Sequence, residues 1–288
     1  MSDNPQPARR AFQPLPGYRV LALSGRDAAA FAQAQWMNDV AGLAHGHWQW
    51  SGWLTPKGRL LALFALLKLD EQSLWLLLPD ADPAALIEQL QRYVFRSKVA
   101  FAVRDDLRVS GAFAAPVRAS GAVIDGDAEQ GLELDFGGEG GARTLRIDKQ
   151  VADAGDAAFA SRWASSDLEH GLPRLDDTQA GQWTPQQLSL DRLRAYSVKK
   201  GCYPGQEIVA RTHFLGQAKR GLVLFESASP LPAGSEAGDG ERTLGTIVSS
   251  VDGLALAVMP LERDPAVALE VAGIAVHERP LRDGLARA

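Results

Sequence analysis

The chain has 288 residues, 46% hydrophobic and 23% charged, with a formal net charge of −5. This is the make-up of a globular protein with room for about two or three compact units. It holds no run of about 18 apolar residues that could span a bilayer as a helix, and its net negative field disfavours a nucleic-acid backbone except at a local basic patch.

Met1 to Pro16 is rich in Pro, Gln and Arg, lacks an apolar signal-peptide core, and reads as a disordered tail. Tyr18 to Gly25 alternates like a strand, and Ala28 to Met37 is an alanine-rich helix with Phe31, Ala34 and Trp36 as its apolar residues. Asn38 and Asp39 follow it as a helix-end polar pair. In His47 to Trp53, the spacing of Trp48, Trp50 and Trp53 predicts a strand with one aromatic face. Thr55 to Gly58 is a turn by its Pro and Gly, and Arg59 to Lys68 with Ser73 to Leu78 reads as a buried hairpin. Ala81 to Arg96 predicts a helix with Asp82 as N-cap, Pro83 at the first position, and a face of Leu86, Ile87, Leu90 and Val94. Short strands over Val99 to Arg104 and Leu107 to Ala112 complete half or more of a split βαβ arrangement.

Ala114 to Gly141 is rich in turn residues, and its Gly137 to Gly141 run reads as a flexible loop because no helix follows it. Arg143 to Ile147 alternates as a strand, and Phe159 to Glu169 is a helix ending at Gly171. Thr184-Pro185-Gln186-Gln187 has capping-box spacing and predicts a short helix through Leu193. From Gly221 onward, short apolar strands recur with turns about every eight residues, the pattern of a small barrel or sandwich.

The chemistry concentrates in Lys199-Lys200-Gly201-Cys202-Tyr203-Pro204-Gly205-Gln206-Glu207, which holds the only cysteine. One cysteine allows no internal disulfide and suits a reducing, cytoplasmic setting. Pro204 fits the first position of a helix, which would place Cys202 at the positive end of a helix dipole beside two ammonium groups. Both features favour the thiolate and make Cys202 a candidate functional thiol, with Lys199 and Lys200 tuning it; the plainer alternative is a small buried hydrophobe. The five histidines are scattered and no zinc, iron–sulfur, P-loop or dinucleotide spacing is present, so no metal site is expected.

The run Lys200 to Glu207 resembles the signature of the YgfZ family, folate-binding relatives of the glycine-cleavage T-protein, and the likeness extends from about Val20 to about Met259. It implies an α+β fold with ferredoxin-like units and a C-terminal β-barrel. The implied division is a tail over 1–16, a discontinuous folate-binding domain over 17–50 and 117–220, an inserted α+β domain over 51–116, and a barrel over 221–288. The implied cofactor is tetrahydrofolate, held in a cleft between domains with Cys202 at its rim. The implied contacts are Glu169, Tyr203, Gln206, Glu207, Asn38 and Asp39. Glu169 lies in Asp167 to Pro173, which aligns with a T-protein segment whose glutamate meets the pterin; its plainer role is a solvated charge. The implied partners are folate and iron–sulfur enzymes or their assembly factors, with no direct nucleic acid and no membrane. T-protein carries aspartates for aminomethyl transfer where this chain has Leu60-Leu61-Ala62, so the resemblance points away from that enzyme. A one-carbon transferase and an adaptor with a structural cysteine remain the alternatives.

Overall fold

A computed structural model describes residues 11–150, 155–216 and 218–287. The first elements are β1 (Gln13–Pro14), β2 (Arg19–Ser24), α1 (Ala28–Gln35), β3 (His47–Leu54), β4 (Leu60–Lys68), β5 (Ser73–Leu78), α2 (Pro83–Gln91) and β6 (Ala100–Val103). There follow β7 (Arg108–Ala112), β8 (Asp125–Asp127), β9 (Gly131–Asp135), β10 (Thr144–Asp148) and α3 (Ala157–Glu169). After a segment built of turns come α4 (Gln206–Leu215) and six strands, β11 (Arg220–Ser227), β12 (Glu236–Gly238), β13 (Thr243–Val251), β14 (Leu254–Pro260), β15 (Leu269–Val271) and β16 (Ile274–Arg279).

The first sheet is antiparallel in the order β3-β4-β5-β2-β6. Its β4, β5, β2 and β6 with α1 and α2 make a ferredoxin-like unit, to which β3 adds an edge strand. One face packs on the helices through Leu21, Leu23, Phe64 and Leu76, against Phe31 of α1 and Leu86 of α2. The other face carries Val20, Leu63, Ala65, Trp75 and Leu77 into the central core. Burial on both faces is why β4 reads as a near-continuous apolar run, Leu60 to Leu67, rather than alternating. The helix α2 begins as its sequence predicts, with the Asp82 carboxylate accepting from Ala84 N–H at 3.0 Å.

The second sheet runs β1-β7-β10-β9-β8, and α3 packs beside it through Trp163 and Leu168. Where this sheet meets the first, Asp167 is fully buried and Arg143 donates to it at 2.7 Å, with Tyr18 Oη also donating to it at 3.1 Å. That pairing is the condition under which a charge can be buried at all. Burial holds the Tyr18 phenol well above its ordinary range, with Asp167 adding to the effect.

The six C-terminal strands close an antiparallel barrel. Its alternation is clean: Val223, Phe225, Ala255, Ala257 and Met259 fill the interior, while Leu222, Leu224, Leu256 and Val258 point outward into the central core. Gly245 is required there, because a Cβ would collide with the Val258 backbone carbonyl as well as with Met259 Sδ. Beyond β16 the chain returns across both sheets: Leu285 is buried, its carbonyl accepts from Trp50 Nε1 at 2.9 Å, and the Arg287 guanidinium lies over the Trp48 ring.

The structure corrects several expectations. Residues 1–10 of the expected tail lie outside the described residues, but Gln13 and Pro14 pair with Gly111 and Ser110, and Leu15 is buried. A proline is tolerated there because β1 is an edge strand. The boundary drawn between 50 and 51 falls inside β3, and β2 shares a sheet with β4 and β5, since partner choice between distant strands is not written in local pattern. Trp48 and Trp50 face the central core whereas Trp53 faces the helices, so β3 is aromatic on both sides. In the Thr184 segment the capping box forms, Gln187 N–H to Thr184 Oγ1 at 3.2 Å and Thr184 N–H to Gln187 Oε1 at 3.0 Å. No helix propagates from it, because Ser189 turns to φ 47°. The Gly137 to Gly141 loop is bridged at Gly138 and Gly141 and bonded to the returning C-terminal segment, where Glu139 N–H donates to Asp283 O at 2.9 Å.

Candidate functional site

The Lys199 to Glu207 segment is a turn set against the end of α1. Ser197 Oγ accepts from both Lys199 and Lys200 N–H at 3.2 Å, which swings the Lys200 side chain inward. Lys200 is 7% exposed. Its ammonium donates to Gln33 O and Trp36 O at 2.5 Å and to Asn38 O at 3.2 Å. A helix end leaves carbonyls without N–H partners and carries partial negative charge, and a buried cation satisfies both. The Tyr203 ring lies under the ammonium at 4.8 Å, and its hydroxyl donates to Ser197 O at 3.2 Å. Burial pulls Lys200 down to about 8, against the opposing charge of Asp39. Burial raises the Tyr203 phenol, with Tyr196 adding to the effect.

This geometry gives Lys200 a structural role that the sequence did not suggest. An ammonium has three protons, and all three are given to carbonyls, so none remains for a thiolate at Cys202. Pro204 also stands outside the helix. The N-cap of α4 is Gly205 at φ 80°, and Gln206 is the first helical residue. The turn cannot be made otherwise, since a Cβ on Gly205 would come within 2.6 Å of Thr55 O and 2.7 Å of Gly58 Cα. Cys202 is exposed, as are Lys199, Gly201 and Glu207.

Five of the expected site residues come together here. Besides Lys200 and Tyr203, the Gln206 amide donates to Lys200 O at 3.3 Å. Asn38 is buried and donates to Trp50 O at 2.8 Å and Arg194 O at 2.7 Å, while its Oδ1 accepts from Asp39 N–H. Both amide protons of Asn38 are therefore engaged in bracing β3 to the turn segment. Asp39 accepts from the Gln33 amide at 3.0 Å and from Gly42 N–H at 3.3 Å.

Glu169 belongs to a second cluster. It is the last residue of α3, where the helix dipole disfavours an anion. The guanidinium of Arg282 compensates, donating to its carboxylate at 2.5 Å, and Arg282 N–H donates to Glu169 O at 2.8 Å. Next to it, Arg192 donates to Arg282 O at 2.9 Å and to the Asp283 carboxylate at 2.7 Å. Arg192 also lines a cavity of about 400 Å³ with Gln186, Tyr196, Thr212 and His213, between the turn segment, α4 and the barrel. Gln186 Oε1 and Arg192 Nε are buried there without a hydrogen-bond partner. Burial pushes the Tyr196 phenol up to about 12, with Asp191 adding to the effect. Cys202 does not line this cavity.

Arg282 and Arg192 were not singled out in the sequence. The segment from Pro280 onward has no periodicity to read, and its spaced arginines (Arg279, Arg282, Arg287) were the one available signal. Leu60 and Ala62, where the resemblance would have placed carboxylates, are buried in β4. Among the described residues, no three His, Cys, Asp or Glu side chains gather so as to hold a metal ion, and no helix is long and apolar enough to cross a membrane.

Residues 219–280 match the family described as CAF17, C-terminal beta-barrel domain. Over 291 residues the chain is 30% identical to the tRNA-modifying protein YgfZ of Klebsiella pneumoniae (strain 342), covering 90% of this chain and 89% of that relative. It is 28% identical over 268 residues to the tRNA-modifying protein YgfZ of Aliivibrio fischeri (strain MJ11), covering 86% of this chain and 84% of that relative. The crystal structure of glycine cleavage system aminomethyltransferase T from Bartonella henselae shares the fold, with a TM-score of 0.70 over 94% of this chain and 86% of that one, at 15% identity.

Proposed function

The chain belongs to the YgfZ family, and from that premise we propose that it binds a reduced folate through Glu169 and serves tRNA modification by way of iron–sulfur cluster assembly or repair. The Glu169–Arg282 pair is the observation that carries the folate reading. A carboxylate at the negative end of a helix already receives one N–H donor from a planar guanidinium. The amino-pyrimidine edge of a pterin offers a planar pair of N–H donors, so it can take the guanidinium's place on the carboxylate and fill the second acceptor oxygen as well. Both partners are part-exposed, which leaves the carboxylate within reach of a ligand. Glu169 does not line the cavity of about 400 Å³, but Arg192 does and also bonds Arg282 O, and the cavity is of a size that takes a small organic ligand. Cys202 is the exposed thiol of the same molecule, open to a partner rather than enclosed in a pocket. The apolar β4 at Leu60 to Ala62 offers no acid or base for aminomethyl transfer.

Calorimetric titration with 5-formyltetrahydrofolate tests this reading. Glu169→Gln removes the charge and keeps the shape, and affinity should fall about ten-fold. Unchanged affinity would take Glu169 out of the site, and no heat of binding from the unaltered protein at millimolar ligand would overturn the folate reading.

A further inference from the structure

The chain is acidic overall, yet the seven residues following α2, Arg92-Tyr93-Val94-Phe95-Arg96-Ser97-Lys98, contain three cations, two aromatic rings and no carboxylate. Phe95 is 88% exposed and Tyr93 38%. Lone exposed hydrophobics need no explanation, but here the rings alternate with charge on a segment whose fold is pinned. Tyr93 N–H donates to Leu90 O at 2.9 Å and Val94 N–H to Gln91 O at 3.1 Å. Lys98 N–H donates to the Asp27 carboxylate at 2.6 Å. Val94 and Val99 turn inward against the helix-side core, which leaves Phe95 facing out by construction. Arg92 has only a long contact with the exposed Glu88, at 3.5 Å. Among the described residues, the Arg96 guanidinium and the Lys98 ammonium have no hydrogen-bond or ion-pair partner. The patch also joins the motif turn: Tyr93 meets Trp53 edge-on at 5.9 Å, Trp53 meets Trp36 at 6.3 Å, and Trp36 O holds Lys200.

We propose that this segment is a stacking platform for an unpaired stretch of nucleic acid, with a base on Phe95 and phosphates on Arg96 and Lys98. An aromatic face flanked by unneutralised cations is the combination that single strands use, because every base has a face to stack and every linkage a charge. A duplex hides its base faces and would engage only the cations. An acidic peptide would likewise engage the cations and gain little from Phe95. The proposal is independent of folate binding: it uses none of the Glu169 cluster, and its assay contains no folate.

Fluorescence anisotropy with labelled 12-mers tests it, comparing single-stranded RNA, single-stranded DNA, a duplex and polyglutamate at 50 and 200 mM salt. Single strands should bind in preference to the duplex and to polyglutamate, and whichever of RNA or DNA binds more tightly names the source. Phe95→Ala, at an exposed site that folding does not need, should weaken single-strand binding about ten-fold, the scale of one lost stacking contact. Arg96→Gln with Lys98→Gln should flatten the salt dependence by about 1.4 in log–log slope, two phosphates at about 0.7 each. No binding by the unaltered protein at 100 μM would overturn the proposal. So would equal binding of duplex or polyglutamate, or single-strand binding that ignores Phe95→Ala.

Discussion

Lys200→Met separates a structural ammonium from one that tunes a thiol, because its effect on stability has a calculable pH dependence. The substitution keeps the length and apolar stem of the side chain but strands the carbonyls of Gln33, Trp36 and Asn38, which the ammonium now satisfies. Each buried acceptor left unpaired costs about 1 to 3 kcal/mol. Against that, the variant no longer buries a charge. A fall from 10.5 to about 8 corresponds to about 3 kcal/mol of penalty at neutral pH. Taking the middle of these ranges, the variant should lose about 3 kcal/mol at pH 7.

The loss should grow with pH. Between about 8 and 10.5 the unfolded chain keeps the Lys200 proton and the folded chain sheds it, so the unfolded state binds more protons and stability rises with pH. The penalty is complete below about 8 and gone above 10.5. Between pH 7 and 9.5 the unaltered protein therefore gains about 2 kcal/mol that the Met variant cannot gain. Groups common to both proteins cancel in the difference, and Tyr203, the aromatic contact of the ammonium, titrates above this window. Urea unfolding at the two pH values measures it. A gap that stays constant or narrows as pH rises would refute the picture of an ammonium buried in a carbonyl cage.

Two further outcomes follow from the same turn. Cys202→Ser should abolish complementation of a YgfZ-deficient strain while leaving the melting temperature within about two degrees, because the residue is exposed; a large drop in melting temperature would place the thiol in the core. Gly205→Ala should destabilise by about 2 kcal/mol or more, combining a left-handed backbone at φ 80° with a Cβ forced against Thr55 O. An unshifted melting curve would mean that the 55–58 turn gives way freely.

Much of this architecture was legible because it rests on local pattern. The period-two alternation of Leu222 to Phe225 and Ala255 to Met259 sorts interior from exterior in a barrel wall, and the recurring turns mark the barrel without giving β12 or β16. The Asp82–Pro83 start of α2 is likewise a local rule obeyed. Where reading failed, the deciding contact was distant. Trp53 faces away from Trp48 and Trp50 because strict alternation puts odd and even positions on opposite faces, and only the packing of α1 and α2 makes both faces apolar. Thr184 to Gln187 wrote a helix start correctly, but Ser189 is committed elsewhere, its hydroxyl accepting from Leu222 N–H at the entry to the barrel. Lys200 stands near Cys202 in sequence, which pointed to electrostatic tuning. Its true partners lie more than 160 residues upstream at the end of α1, and no local rule could supply them.

The motif divides accordingly into an inward and an outward half. Lys200, Tyr203 and Gly205 face in, and they tie together the end of α1, the Ser197 turn and the Thr55 to Gly58 turn. Lys199, Gly201, Cys202 and Glu207 face out, and their identities are not needed to hold any of those elements. A run this specified therefore carries two demands at once: the inward residues fix where the turn sits, and the outward ones set what it presents. Rigid support under an exposed thiol is what a group acting on a partner needs, since positional freedom there would be lost again on docking. Lys200 serves that support by giving its ammonium protons to three carbonyls, while Lys199 stays exposed on the same outward side as the thiol.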